Sequence, residues 1–377
     1  MKIPFLALDA VNGSIREEID EAIRGVIDKS RFILGENVEA FENEWASFCE
    51  ANYCVSVGNG LDALQLSLIA LGIGPGDEVL VPSNTFIATW FAVSNVGAKP
   101  ISIPPKSGTF NMDPAMLAGK ISPRTRAIVP VHLYGHPADL DEIDQIASSY
   151  NLVVVEDAAQ AHGARYKGRR IGAHSNAVAW SFYPGKNLGA LGDGGAVTTN
   201  DAHTAERLRL LRNYGSSQKY RHQIVGYNSR LDEIQAAVLR VKLRHLDLWN
   251  ESRKAIAQNY AARFESALGK YRNSVLFPSE NQYSEAVWHQ YVVVASMRDQ
   301  LAERLRGSGI EILVHYPVDA ELQEAYSGKN ALDLQISSQN LGNRILSLPI
   351  YPTLRQEQID FVGDVLIEAC EEMYNLG

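Results

Sequence analysis

The sequence predicts an α/β protein: a mostly parallel sheet with helices on both faces, followed by a smaller α+β unit. Three observations predict it. Between residues 53 and 200, short Val- and Ile-rich runs alternate with amphipathic stretches of helical period, as in sheets buried on both faces. A long helical period from Ser229 to about Phe264 follows and reads as a bridge. At 377 residues the chain is too long for one ordinary domain, and we divide it into 1–248 and 249–377.

In chain order, Ser14 with Glu17 has the spacing of a capping box for the helix IREEIDEAIRGVID, and a second helix covers about Val38 to Phe48. The candidate strands are YCVSVG (53–58), EVLVP (78–82), KPISIP (99–104), RAIVPVHL (126–133), LVVVED (152–157) and AVAWSF (177–182). Helical stretches lie at 61–72, 85–97, 114–121 and 139–150. AVAWSF and GAVTTN (195–200) flank a glycine-rich loop, SFYPGKNLGALGDGG (181–195), with one lysine, Lys186. Asn228 or Ser229 would cap the long helix. Beyond it come a strand at VWHQYVVVA (287–295), a helix from about Arg298 to Gly307, and a strand at EILVHYP (311–317). Ligands of such sheets bind beyond the carboxyl ends of the strands, where the informative motifs fall.

Composition narrows the function. A net charge of −9 argues against non-specific binding to nucleic acid or anionic membranes. Three cysteines, Cys49, Cys54 and Cys370, make neither a disulfide framework nor a zinc site, and we expect no metal. The N-terminus lacks a signal-peptide pattern and no stretch reaches ~18 apolar residues. We therefore expect a cytoplasmic protein.

Lys186, in a loop where backbone can approach a ligand, is either a phosphate clamp or an amine that forms an imine with a carbonyl. GNGLDA (58–63) follows a strand and opens a helix. A dinucleotide site would need an acid at the tip of the next strand, but that strand ends at Val81-Pro82-Ser83, with Asp77 and Glu78 at its other end. A single phosphate on the Gly60 and Leu61 amides fits better, although the segment could be only a tight turn. Asp157 leaves the end of a buried strand and needs a cation or a donor. It reads as a helix cap, an ion pair, or the partner of a protonated ring nitrogen, with Gln160 positioned for a ring hydroxyl. A protonated pyridine ring is the electron sink of pyridoxal phosphate chemistry. Lys186 would then hold the cofactor aldehyde and Ser181 its phosphate. Phe86 could stack on a flat ring or belong to the core. Lys219, Arg221 and His222 form a basic cluster, either a solvated turn or a cradle for an anion. His315 is a structural histidine or faces the substrate.

The motifs PFLALDA, RFILGENVEAFENEWA, GNGLDAL, VPSNTFIAT, PVHLYGHPAD, VVVEDAAQAHGA, SFYPGKNLGALGDGGA, GYNSRLDEIQAA and VHYP, in this order and spacing, resemble the DegT/DnrJ/EryC1/StrS sugar aminotransferases over essentially the whole length. The resemblance implies a fold-type-I pyridoxal phosphate enzyme, similar in fold to aspartate aminotransferase. Lys186 matches the Schiff-base lysine, Asp157 the acid at the pyridine nitrogen, and Gln160 the partner of the ring hydroxyl. Phe86 matches the stacking ring, and Gly60, Leu61 and Ser181 the phosphate positions. Asn228 matches a residue that reaches the phosphate from a partner subunit, which implies a homodimer with shared sites. The family uses L-glutamate as donor and a nucleotide-linked keto-sugar as acceptor. Pyridoxamine phosphate is the form between the two half-reactions.

The lysine loop looks like that of enzymes aminating C-3 of dTDP-linked 3-keto-6-deoxyhexoses. Relatives that aminate C-4 typically carry loops nearer SFHPxKxxTTGEGG, and UDP-sugar C-3 enzymes have a similar loop to this one. Lys219 and Arg221, from the partner subunit, and His315 are the candidates for the sugar nucleotide, with Tyr183 shaping the sugar pocket. A dehydratase on the same cofactor is disfavoured because Lys186 is retained. A non-catalytic regulator is disfavoured because Asp157, Gln160, Ser181 and Lys186 are all present.

Overall fold

A computed structural model describes residues 1–106, 108–268, 275–278, 283–326 and 341–374. Parts of the proposed 249–377 unit therefore lie outside the described residues. Three helices precede the sheet: α1 (Leu8–Gly13), α2 (Arg16–Lys29) and α3 (Glu36–Phe48). The capping-box expectation fails. Ser14 closes α1, its Oγ donating to the Val11 carbonyl at 2.8 Å, and α2 starts after Ile15 with no side-chain cap. The hydroxyl is spent on the turn that ends the preceding helix. α3 takes its cap from far along the chain: the buried Glu233 carboxylate accepts the Gly35, Asn37 and Val38 amides at 2.9, 2.6 and 3.2 Å.

There follow β1 (Tyr53–Val57), α4 (Gly60–Ala70), β2 (Glu78–Pro82), α5 (Ile87–Asn95), β3 (Lys99–Ile103), β4 (Thr125–Ile128), α6 (Leu140–Tyr150) and β5 (Val153–Asp157). Then come a short pair, β6 (Arg165–Tyr166) and β7 (Arg169–Arg170), and β8 (Ala177–Ser181), β9 (Gly195–Thr199) and α7 (Ala202–Arg212). The alternation of runs is thus legible as elements. The stretch 114–121 is the exception, forming two single 3-10 turns instead of a helix. Eight residues interrupted by Gly119 and bounded by Pro123 are too few to offset helix nucleation.

The sheet order is β1-β9-β8-β5-β4-β2-β3. Strands β3, β2, β4, β5 and β8 run parallel, whereas β9 is antiparallel to both its neighbours, β8 and β1. Only an antiparallel pair can be joined without a crossover. The lysine loop makes that join, which keeps it at the sheet edge where β2 and β5 also end.

A hairpin of β10 (Ser216–Gln218) and β11 (Arg221–His222) precedes α8 (Glu233–Leu243) and α9 (Leu246–Leu268). The long helical period is therefore broken near Arg244. Neither Asn228 nor Ser229 caps α8, whose N-cap is Asp232 without a side-chain bond. Ser229 instead accepts the Gly58 amide at 2.9 Å and donates to Asp62 at 2.5 Å. The remaining elements are β12 (Val275–Leu276), β13 (Ser284–Glu285), β14 (Tyr291–Ala295), α10 (Arg298–Gly307), β15 (Ile345–Leu348) and α11 (Gln356–Tyr374). The run 287–295 is a strand only from Tyr291, because the Val287 and Gln290 amides bond to the Gly135 and Tyr134 carbonyls. EILVHYP forms no strand, only a bridge from Leu313 to Ser347, and the His315 carbonyl takes the Tyr134 hydroxyl. Ile3 pairs with Ile310 and packs among Tyr260, Phe264, Leu305 and Leu366. We propose that the two units meet close to residue 248, near the start of α9. Among the described residues no helix is long and apolar enough to cross a membrane.

A Cβ at Gly195 would overlap the Asn59 carbonyl, whereas one at Gly25, inside α2, meets nothing within 4 Å. Gly195→Ala should cost about 1–3 kcal/mol of stability, and Gly25→Ala should add about 0.5–1 kcal/mol. Thermal unfolding of the two variants should move in opposite directions.

Candidate active site

β5 ends on Asp157, and the period of two sends the preceding Glu156 to the opposite face. There Glu156 is fully buried against His132. His132 Nδ1 accepts the Ala138 amide at 3.0 Å, so the proton sits on Nε2, which donates to Glu156 at 2.8 Å. Burial raises the Glu156 carboxyl more than any other single influence, but the bond and charge of His132, with His174 and Ser175, together outweigh it and the net shift is downward. The His132 amide also donates to the Asp157 carbonyl at 3.0 Å, which anchors the strand end.

On the site face, Asp157 accepts from Thr89 Oγ1 at 2.8 Å and from the Ala159 amide at 3.2 Å. Burial nevertheless raises its pKa, against those bonds and the charge of Lys186. Burial likewise pushes the half-buried Lys186 amine down to about 8, opposed by Asp157. A buried carboxyl raised in this way gains from any cation brought to it, and a protonated ring nitrogen would be one.

The corner where α4 meets β8 is built by close approach. A Cβ on Gly60 would stand 2.5 Å from Ser181 Cβ and 3.0 Å from its hydroxyl, so only glycine lets α4 begin against the end of β8. Asn59 satisfies the Asp62 amide with its side chain and the Ala63 amide with its carbonyl. The Gly60 and Leu61 amides have no hydrogen-bond partner among the described residues. They point from a helix N-terminus beside the Ser181 hydroxyl, a set of donors suited to a phosphate. These features fit pyridoxal phosphate.

Gln160 accepts the Tyr134 amide at 2.6 Å and donates to the Tyr316 hydroxyl at 3.0 Å, which leaves one amide hydrogen unspent. Phe86 opens α5, is 54% exposed, and lies 5.5 Å from the Tyr316 ring. Its exposure, in an otherwise apolar helix, favours a stacking face over a core position. His315 faces Ser347 at 2.8 Å, and burial with the Lys186 charge pushes its pKa down to about 4. Tyr183 is 60% exposed, two residues from Ser181.

Asn228, Lys219 and Arg221 are exposed on or near the β10–β11 hairpin. Among the described contacts none joins them to Lys186, Asp157 or Gln160. Sequence reasoning missed Thr89, Tyr134 and His289. Thr89 lies one helical turn beyond Phe86, a spacing that could have revealed it. His289 was hidden inside a run read as continuous strand.

A model of the DegT/DnrJ/EryC1/StrS aminotransferase family matches residues 13–367. The erythromycin biosynthesis sensory transduction protein EryC1 of Saccharopolyspora erythraea is 51% identical, over 96% of this chain and 98% of its own. The dTDP-3-amino-3,4,6-trideoxy-alpha-D-glucose transaminase of Streptomyces venezuelae is 49% identical, over 99% and 97%. The dTDP-3-amino-3,6-dideoxy-alpha-D-galactopyranose transaminase of Aneurinibacillus thermoaerophilus is 46% identical, over 97% and 98%. In structure, S. venezuelae DesV, solved in complex with a ketimine intermediate, superposes with a TM-score of 0.95 at 49% identity, covering 98% and 99% of the two chains.

In protein stripped of cofactor, the Lys186 amine should titrate near pH 8, so that about one-tenth is neutral at pH 7. Asp157→Asn removes the charge that holds the proton and should lower that midpoint further. Competitive labelling of the amine across pH 6–11, read by peptide mass spectrometry, checks both values.

Proposed function

The chain belongs to the DegT/DnrJ/EryC1/StrS aminotransferase family, and we propose that it moves the amino group of L-glutamate to C-3 of a dTDP-linked 3-keto-6-deoxyhexose. The product is a 3-amino-3,6-dideoxy sugar. The observation that carries the reading is the half-buried Lys186 amine within the field of Asp157, together with the free amides of Gly60 and Leu61 at Ser181. The C-3 position and the nucleotide rest on the two dTDP-sugar transaminases at 49% and 46% identity, whose products carry the amine at C-3.

The family's cofactor is pyridoxal 5′-phosphate, and pyridoxamine phosphate is its aminated form. It supplies an electron sink for the pair left on carbon when a proton departs. Asp157 would keep the ring nitrogen protonated, and Gln160 would donate its spare amide hydrogen to the ring hydroxyl. Phe86 would cover one ring face, and Gly60, Leu61 and Ser181 would hold the phosphate. Lys186 would bind the aldehyde and, once displaced, would act as the base. Its neutral amine would take the proton from the glutamate α-carbon and pass it to the former aldehyde carbon of the cofactor; in the second half-reaction it would carry a proton back from that carbon to sugar C-3. An amine with a pKa near 8 is suited to both directions at neutral pH.

We place this site at the interface of a cytoplasmic homodimer. The β10–β11 region exposes Tyr220 at 83% and Val225 at 91%, apolar surface that a second copy would cover. Lys219, Arg221 and Asn228 would then enter the partner subunit's site, the first two toward the sugar nucleotide's diphosphate, with His315 and Tyr183 at the sugar. The name of the Saccharopolyspora relative suggests regulation as a second reading. A purely regulatory chain would have no use for a base poised opposite Asp157.

The purified protein should be yellow, bleach with L-glutamate and recover its colour with a dTDP-3-keto-6-deoxyhexose. Product NMR should locate the new amine at C-3, and UDP- and 4-keto-sugars should turn over more slowly. Absence of bound chromophore with pyridoxal phosphate supplied would sink the reading. Lys186→Ala should lower turnover at least about 10³-fold. If the sites are shared, mixing Lys186→Ala with Lys219→Ala subunits should restore about a quarter of wild-type activity, because half of the dimers regain one intact site. Sites built within one chain would restore none.

A further inference from the structure

The residue after the lysine is more tightly held than the lysine itself. Asn187 is buried, and its Nδ2 donates both hydrogens, to Asn250 Oδ1 at 3.0 Å and to the Val287 carbonyl at 2.9 Å. Its Oδ1 faces His289 Nδ1 at 3.1 Å. The orientation of each amide is settled by a backbone carbonyl, which can only accept. Val287 fixes Asn187, and the His162 carbonyl, taking Asn250 Nδ2 at 2.8 Å, fixes Asn250. Asn187 Oδ1 can therefore only accept, so His289 Nδ1 must carry the hydrogen. In the neutral ring Nε2 is then a bare lone pair, with no partner among the described residues. The backbone of this segment is pinned as well: Arg253 donates to the Trp288, His289 and Ile350 carbonyls at 3.3, 3.4 and 2.8 Å.

The charges that bear on this ring are Lys186, Arg253, His162 and His315, all of one sign when protonated. Burial and these neighbours hold the imidazole neutral well below its usual range. Asp157 also acts on Lys186, with the opposite sign. The His289 amide nitrogen and the Gln160 carbonyl lie 2.9 and 3.1 Å from the same Cβ position at Gly135, so this segment borders the site, and its half-buried ring offers an acceptor within the field of an amine whose other electrostatic partner is a carboxyl.

We propose that His289 is a positioning residue for Lys186: held in its Nδ1–H form by Asn187, it accepts an N–H of the Lys186 amine at Nε2 and so aims the nitrogen lone pair at the carbon to be deprotonated. This rests on the aminotransferase reading above. It would also give the buried Asn187–Asn250 chain a chemical purpose, that of setting a tautomer two hydrogen bonds away.

The test uses protein labelled with ¹⁵N-histidine, prepared with and without pyridoxal phosphate. His289→Gln assigns the resonance. Long-range ¹H–¹⁵N spectra should show a neutral Nδ1–H ring from pH 6 to 9, with Nε2 shifting when the cofactor occupies Lys186. An Nε2–H tautomer, or a ring that gains a proton above pH 6, overturns the proposal. In single turnovers with glutamate, His289→Leu should slow amino transfer about ten- to a hundredfold, with a larger isotope effect from α-deuterated glutamate. His289→Gln, whose amide can donate to Asn187 and accept at its oxygen, should recover most of the rate. An unchanged rate and isotope effect in His289→Leu overturns the proposal too. If that variant does not fold, the tautomer measurement decides alone. Wild type that takes up no cofactor instead defeats the underlying reading, so the two failures are distinguishable.

Discussion

The site depends on one balance: a carboxyl and an amine, each costly to charge inside the protein, placed within reach of each other's field. Asp157 is pushed up by burial and Lys186 pushed down, and each partly restores the other. An isolated buried charge is expensive, so the surrounding structure must hold the pair rather than let it escape to solvent. That requirement accounts for the number of bonds spent on the Asp157 strand end: Thr89, the Ala159 amide, the His132 amide, and behind them the His132–Glu156 pair.

The sheet topology serves the same end. Placing β9 antiparallel between β1 and β8 turns the segment carrying Lys186 into a short connection at the carboxyl edge, where β2 and β5 end. The loop is then braced from beneath. The buried Lys242 amine donates to the Gly189 carbonyl at 2.8 Å, and Asn187 ties the loop to α9 and to the segment before β14. Backbone so constrained holds an amine at a fixed reach, as general base catalysis requires.

The sequence made much of this legible because the strands are short, apolar and separated by clear periodic helices. The strand ends at Asp157 and Ser181, and with them the loop that carries Lys186, could be read to within a residue or two. What was not legible depends on contacts distant in sequence. Ser14 has the spacing of a cap, but its hydroxyl is nearer to the turn it ends. The run 287–295 is apolar enough for a full strand, yet Val287 and Gln290 bond to the segment at Tyr134 and Gly135. His289 is therefore lifted out of the sheet and set against Asn187, which no local pattern reveals. The reach proposed for Lys219 and Asn228 is illegible for a similar reason, since it would concern a second chain.

Ile3 lies edge to edge with Ile310, its amide donating to the Gly309 carbonyl and its own carbonyl taking the Glu311 amide. The segment that carries His315 is thus hemmed by residues some three hundred positions away, and the Phe5 ring stands 5.6 Å from the His315 ring. Closing so long a loop is slow on the folding timescale, though its entropic cost grows only weakly with length. The proposed C-terminal unit is thus completed by residues from the opposite end of the chain: cut free at residue 248, it would lose a bordering segment and expose the apolar surface that Ile3 covers.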